Sequence, residues 1–211
     1  MRLTVFGATG GTGTQLVQQA LAAGHEVSAV VRDPARLAIP THPRLRVVTA
    51  DIMDPASITP AVTGADVVLT AAGPRNTGPT TVITDSVRSI SAAMQAAGVR
   101  RLVALSGSIV ADEGEGFFFR YVLKPLARRT FLRNVCADMR EAEASIADSG
   151  LDWTIVRPPA LTDGPATGHY RTAVDRNLPR GFRVSRADLA AYMLSLAGET
   201  AAVRRHVAIA Y

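Results

Sequence analysis

An α/β fold, a doubly wound parallel sheet with helices on both faces of a single domain, is predicted by three observations. Short apolar runs alternate with helical patterns along nearly the whole chain. The runs are dense in Val, Ile and Leu with little polar alternation, as in parallel strands buried on both faces. The first run passes directly into a glycine-rich turn, and a helical pattern follows it. A length of 211 residues suits one domain with a substantial core.

The elements follow in order. Strands are expected at residues 2–6, 26–31, 45–50, 66–71, 101–106 and 152–157. The first helix, over about 12–23, sets Leu16, Val17, Ala20 and Leu21 on one side and stops at Gly24. Asp54-Pro55 opens a second helix as N-cap and first helical residue. A longer helix spans about 80–97 and ends at Gly98, and another spans about 131–148 and ends near Gly150. After Arg157-Pro158-Pro159 the pattern turns irregular, with Gly164, Pro165 and Gly168 before a short strand at 169–174. Ser185-Arg-Ala-Asp188 forms a capping box for a helix through Ala197, and 203–210 makes the last strand. This tail is too short for a domain of its own, so residues 158–184 are expected to close the substrate side of the same domain.

Composition narrows the function classes. Hydrophobic residues make up 47% and charged residues 19%, which suits a globular chain rather than a disordered one. The formal net charge is +5, and Lys124 is the single lysine among 23 basic residues. Arg120, Lys124, Arg128, Arg129 and Arg133 form the one cluster, with Asp112, Glu113 and Glu115 just before it. A solvated helical face is therefore expected there, and no nucleic-acid partner. The one cysteine, Cys136, excludes an internal disulfide and a cysteine metal cluster and suits a reducing, cytoplasmic setting. His25, His42, His169 and His206 are scattered without metal-ligand spacing, so no metal is expected. A core strand at the start leaves no room for a signal peptide, and no apolar run nears the ~18 residues of a membrane span.

The glycine-rich turn reads Gly7-Ala-Thr9-Gly10-Gly11-Thr12-Gly13. Gly7 permits a tight exit from the strand, Gly10 lets a pyrophosphate reach the backbone, and Gly13 lets the helix pack closely on the strand. The N–H groups of the first helical turn then face the phosphates. The strand before the turn and the helix after it favour a Rossmann-like dinucleotide site over a plain glycine turn.

Other strand ends complete the cofactor half. After the second strand stands Val31-Arg32-Asp33-Pro34-Ala35-Arg36. Asp33 has two readings, a ribose acceptor or an N-cap followed by proline, and the cap is favoured. Arg32 and Arg36 bracket this turn and can neutralise the 2′-phosphate that NADP has and NAD lacks; the alternative is a pair of solvated arginines. Asp51 and Ile52, after the third strand, are placed at the adenine edge, with Ile52 against the ring. Ala71, Ala72 and Gly73, after the fourth, are small where the backbone must pass the dinucleotide.

The stretches GATGGTG, VRDPARL, GPRNTGPTTV and SGLDWTIVRPP together resemble the atypical short-chain dehydrogenase/reductase group. They are most similar to its NAD(P)H-binding, NmrA-like branch, which includes the flavin and biliverdin reductases. The resemblance runs over nearly the whole chain. It implies that Gly7, Thr9, Gly10, Gly11, Thr12 and Gly13 hold the pyrophosphate and that Arg32 and Arg36 take the 2′-phosphate. It further implies that Gly73, Arg75, Ser106, Ser108, Pro158 and Pro159 surround the nicotinamide. The departures are local. Ser106-Gly107 stands where the flavin/biliverdin reductases have Thr-Ser, Ala160 where they have a histidine after Pro-Pro, and Met139 where they have another histidine. The polar groups that face a tetrapyrrole are thus missing, which counts against bilin reduction more than against flavin reduction.

Typical short-chain dehydrogenases pair a tyrosine with a lysine one helical turn on, Tyr-x-x-x-Lys, to lower the tyrosine pKa. Tyr121-Val-Leu-Lys124 is one residue short, and Pro125 disfavours α geometry at Lys124. Tyr121 is accordingly expected to pack or to wall the pocket. Phe117-Phe-Phe119 is read as core packing ahead of a lid, and His169 and Tyr170 as either substrate-facing or loop residues. The expected function is an NADPH-dependent reductase that passes a hydride to a planar acceptor, a flavin, quinone or similar conjugated compound, with Ser106 or Ser108 orienting the acceptor or the carboxamide. A second reading, from another class, is a non-catalytic NAD(P)-sensing regulatory protein of the NmrA-like kind. A sugar-nucleotide epimerase is disfavoured by the missing Tyr–Lys pair and the small C-terminal part.

Overall fold

The computed structural model describes residues 1–74, 78–111 and 133–211. The six strands expected in the first three quarters of the chain form: β1 (Arg2–Phe6), β2 (Glu26–Val31), β3 (Leu45–Thr49), β4 (Val67–Thr70), β5 (Arg101–Leu105) and β6 (Asp152–Arg157). The remainder adds β7 (Ala160–Thr162), β8 (Arg171–Val174), β9 (Arg183–Ser185) and β10 (Arg205–Ala210). The described helices are α1 (Gly11–Ala22), α2 (Pro55–Val62), α3 (Val82–Ala96), α4 (Arg133–Ala147) and α5 (Arg186–Ser195).

Eight strands make one sheet in the order β3-β2-β1-β4-β5-β6-β10-β8. Every pairing in it is parallel except β10 with β8. The order reverses between β1 and β4, which is the topological switch point of a Rossmann-like sheet. Alternate residues of each central strand feed two cores. Leu3 and Val5 of β1 pack with Leu16, Val17 and Ala20 of α1 and Leu189 and Met193 of α5. Phe6 of the same strand packs on the other face with Ile58 of α2, Ile90 and Met94 of α3 and Ile146 of α4. Burying each of these larger side chains contributes ~1.5–3 kcal/mol, so the two apolar layers fix the helices on their faces.

Three differences from the sequence reading have physical causes. β3 is not buried on both faces. It is an edge strand with β2 as its one neighbour, and Arg46, Val47 and Thr49 are exposed. The helix expected from residue 80 starts at Val82. Its first N–H, on Val82, donates to Thr80 Oγ1 at 3.2 Å, and the next two, on Ile83 and Thr84, donate to the Asp138 carboxylate of α4 at 3.0 and 2.9 Å, so a distant residue shares in setting the boundary. The three-residue strands β7 and β9, which pair in parallel as a separate small sheet, are too short to show a period.

Local caps behave as the sequence suggests. The Asp54 carboxylate accepts from Ala56 N at 3.0 Å at the head of α2. Ser185 Oγ accepts from Asp188 N at 3.0 Å at the head of α5.

Candidate functional site

The carboxyl ends of β1, β2, β3, β4, β5 and β6 open onto one edge of the sheet, where ligands of open α/β sheets lie. The glycine turn sits at its centre. Gly7 has φ +76°, and a Cβ there would stand 2.6 Å from the Ala71 carbonyl carbon and 2.7 Å from Ala72 N. The β1 exit and the β4 exit therefore touch backbone to backbone, fastened by Ala71 N donating to the Phe6 carbonyl at 3.0 Å. Thr14 Oγ1 donates to the Ala8 carbonyl at 3.1 Å and holds the turn against the helix.

Gly10 is the N-cap of α1, with no side-chain cap and no acidic residue in the first turn. The helix thus presents its positive end and its first N–H groups without an internal anion. Gly10 and Gly11 are exposed, Thr9 is half-buried, and Thr12 and Gly13 are buried. A Cβ on Gly10 would meet nothing nearer than the Gly7 carbonyl oxygen at 3.4 Å. Its φ of −89° suits any residue. Among the described residues no contact demands glycine at this position.

At the second strand end Asp33 is a cap. The Asp33 carboxylate accepts from Ala35 N at 3.0 Å and caps the short 3-10 turn Pro34–Arg36. Arg32 and Arg36 flank it, both exposed and neither in an ion pair with a described residue. Asp51 accepts from Met53 N at 3.0 Å, and Ile52 is half-buried against the core of α2 and α3. Ala71 and Ala72 are half-buried and Gly73 is exposed, with no described residue within 4 Å of where its Cβ would be.

At the other side of the switch point, Ser106 N donates to the Val156 carbonyl and Ser108 N to the Pro158 carbonyl, both at 2.8 Å. These bonds bring Ser106, Ser108 and Pro158 together, with Pro159 adjoining. Ser106 Oγ is buried without a hydrogen-bond partner among the described residues. A buried hydroxyl in that state costs stability unless a ligand or solvent meets it, which fits a site built for a bound polar group. Met139 Sδ lies 3.5 Å from where a Gly107 Cβ would be, so a thioether rather than an imidazole covers this turn.

Behind Pro158, Arg157 makes a two-pronged ion pair with Glu143, Nε at 3.0 Å and Nη2 at 2.5 Å. Both side chains are largely buried. His206 Nε2 is 3.8 Å from the same carboxylate. Burial, followed by the Arg157 charge, holds the His206 pKa below its ordinary value. This pair ties the end of β6 to α4.

Three features were not singled out from the sequence. Asn177, 2% exposed, donates through Nδ2 to the Ser108 and Ala111 carbonyls at 3.1 and 3.4 Å, tying the 158–184 stretch to the serine turn. Asp188 is fully buried and accepts from Thr167 N, Gly168 N and Tyr211 Oη at 2.9, 2.9 and 2.7 Å. Burial raises its pKa, but the bonds from Tyr211, Gly168 and Thr167 outweigh that and hold it below the usual Asp range. Arg186, the first residue of α5, lies across Gly11. The signal for the last two was the Ser185–Asp188 capping box, which says where a helix starts and nothing about what it leans on. His169 is exposed, and Tyr170 packs on Tyr192 with ring centroids 5.7 Å apart. Arg75, Phe117, Phe119, Tyr121, Lys124 and Pro125 lie outside the described residues.

Residues 7–200 match the model of a family described as NAD(P)H-binding. The chain belongs to that family. Among relatives of this NAD(P)H-binding protein is the 3-diazoavenalumate denitrifying reductase of a Streptomyces species, 34% identical over 191 residues, or 81% of this chain and 59% of that one. Another is an uncharacterized chloroplastic protein of Arabidopsis thaliana, 32% identical over 178 residues, 80% of this chain and 62% of that one. The chain thus spans 59–62% of the length of these two curated relatives. Solved structures with the same fold include ChuY, an anaerobilin reductase from Escherichia coli O157:H7, with TM-score 0.77, 24% identity and coverage of 100% and 97%. A short-chain dehydrogenase/reductase from Veillonella parvula in complex with NADP has TM-score 0.80, 18% identity and coverage of 100% and 94%. The family fits the atypical short-chain dehydrogenase/reductase group, and the fold is that of NAD(P)H-dependent oxidoreductases. Among the described residues no helix is long and apolar enough to cross a membrane, and no three His, Cys, Asp or Glu side chains gather as metal ligands.

Proposed function

We propose that the protein is an NADPH-dependent reductase acting on a flavin, quinone or similar conjugated acceptor. The observation that carries the reading is Gly10: exposed at the head of α1, with no contact among the described residues that needs glycine, and one turn from the β1–β4 switch point. When bound, the reduced nicotinamide supplies the hydride. The chain supplies the rest. The backbone of Gly7, Thr9, Gly10, Gly11, Thr12 and Gly13 holds the pyrophosphate. Arg32 and Arg36 select the 2′-phosphate by charge-assisted hydrogen bonds. Asp51 and Ile52 border the adenine. Ala71, Ala72, Gly73 and Arg75, with Pro158 and Pro159, bound the nicotinamide end.

Ser106 and Ser108 orient the carboxamide or the acceptor, the buried Ser106 hydroxyl finding its missing partner there. Residues 158–184 close the acceptor side. An acceptor that takes its proton from water needs no Tyr–Lys pair. Met139 beside Gly107 and Ala160 after Pro159 leave this side apolar, which favours a flat conjugated ring over a polar tetrapyrrole. The test is NADPH oxidation with FMN, with a quinone, and with neither. Acceptor-dependent oxidation is expected. Tight NADPH binding without turnover on any acceptor would replace this reading with the sensor one.

A further inference from the structure

We propose that Arg186 is a pyrophosphate-binding residue, carried over the glycine turn by the β7–β9 pair. The proposal rests on the NADPH reading above. Three observations converge on it. A Cβ on Gly11 would stand 2.7 Å from Arg186 Cδ and 2.9 Å from its Nε, so the arginine stem lies directly on the exposed third glycine of the turn. The mount is firm: Gln19 of α1 donates to the Ala187 carbonyl at 2.9 Å, tying the start of α5 to α1. The guanidinium is also under-used. Its one hydrogen bond among the described residues runs from Nη1 to Asp163 Oδ1 at 2.5 Å.

That partner is a weak competitor. The Asp163 side chain is 91% exposed and that of Arg186 29% exposed, so water screens the pair and it contributes little to stability. A guanidinium has five N–H donors in a planar fork that matches phosphate oxygens. Placed beside the uncapped first turn of α1, it adds a full positive charge where the helix offers a partial one.

The geometry also explains how the pair is delivered. Thr162 of β7 sits opposite Ser185 of β9, and Asp163 and Arg186 are the first residues beyond each strand. The two side chains therefore emerge together from the end of the small sheet. A diphosphate at Gly10 and Gly11 can take the guanidinium from Asp163 without moving the backbone of either strand.

The experiment is a calorimetric titration of the full chain with NADPH and, separately, with 2′-AMP, which carries the 2′-phosphate but no pyrophosphate. Wild type that fails to bind NADPH overturns the dinucleotide reading itself, whatever Arg186 does. With wild-type binding in hand, Arg186→Gln keeps the stem over Gly11 and removes the charge. Its NADPH affinity is expected to fall about tenfold or more, while 2′-AMP binds as in wild type. Arg186→Lys is expected to recover most of the loss. Unchanged NADPH affinity in Arg186→Gln, or an equal fall for both ligands, overturns the proposal. Should Arg186→Gln not fold, Asp163→Asn decides: releasing the arginine from its carboxylate is expected to raise NADPH affinity about threefold, and no rise overturns the proposal.

Discussion

A Cβ placed on Gly13 would stand 2.0 Å from the carbonyl oxygen of Gly7. The first turn of α1 is thus pressed onto the exit of β1 with no space for even a methyl group. Gly10, three residues earlier, has its nearest such neighbour at 3.4 Å. Packing requires glycine at 13, the proposed phosphate contact would require it at 10, and substitution separates the two. Gly13→Ala is expected to lower stability by about 3 kcal/mol, the upper end for overpacking against a backbone that cannot yield. Gly10→Val is expected to keep apo stability within about 1 kcal/mol and to abolish NADPH binding. Thermal melting with and without NADPH checks both. A Gly10→Val protein that binds NADPH normally would put the phosphate elsewhere.

Arg32 and Arg36 stand exposed on either side of the Asp33 cap, without ion-pair partners among the described residues. A 2′-phosphate that bonds to one of them gains ~1.5–3 kcal/mol, or roughly tenfold to a hundredfold in affinity. NADPH is expected to bind more tightly than NADH by that factor, and Arg32→Ala to erase most of the difference. Equal affinities in the wild type would remove the NADP assignment.

Asp188 collects the loop at Thr167 and Gly168, the helix cap Ser185 and the hydroxyl of Tyr211 on one buried carboxylate. Asp188→Ala leaves two backbone N–H groups without an acceptor, an expected loss of about 2–5 kcal/mol. The pH dependence has a definite sign. Because the folded-state pKa is lowered, the stabilisation is complete above the ordinary Asp value near 4 and is lost as pH falls through the lower folded value. In acid-unfolding curves the gap between wild type and Asp188→Asn should therefore close below pH ~4. A gap that stays constant there would deny the carboxylate its charge-dependent part.

Tyr121→Phe is expected to leave flavin reduction within about threefold of wild type, since no proton transfer is assigned to that hydroxyl. Loss of a real general acid typically costs ~100-fold to 10,000-fold. Steady-state rates with NADPH and FMN distinguish the two. A fall of the larger size at unchanged cofactor affinity would make Tyr121 catalytic despite its three-residue spacing to Lys124.

The parts of this molecule that were legible in sequence are those decided within a few residues. The turn from Gly7 to Gly13, the Asp33-Pro34 and Asp54-Pro55 caps and the Ser185 capping box follow from local backbone chemistry. The β1 to β6 runs were legible because burial on both faces leaves continuous apolar stretches, and β3 misled because an edge strand can carry the same residues half-exposed. What stayed hidden depends on packing. The second and third N–H groups of α3 are held by Asp138, 54 residues beyond Thr84. Arg186 looks like any first-turn surface residue until α5 is laid on α1 and its stem falls across Gly11. Asn177 sits in an irregular stretch with no period to reveal that it holds the serine turn.

The position of β10 has a consequence for the order in which the molecule can assemble. β8 joins the main sheet through β10 alone, pairing Arg171 with Ala210 and Val174 with Val207. The ribosome delivers β8 well before its partner, so the strand must wait, its edge open, until residues 205–210 have been made and slotted against β6. The pairings of β1 with β2 and β4, and of β2 with β3, need nothing beyond residue 70. Synthesis therefore delivers the strands that flank the glycine turn before those on the far side of the sheet, where β8 and β10 pair.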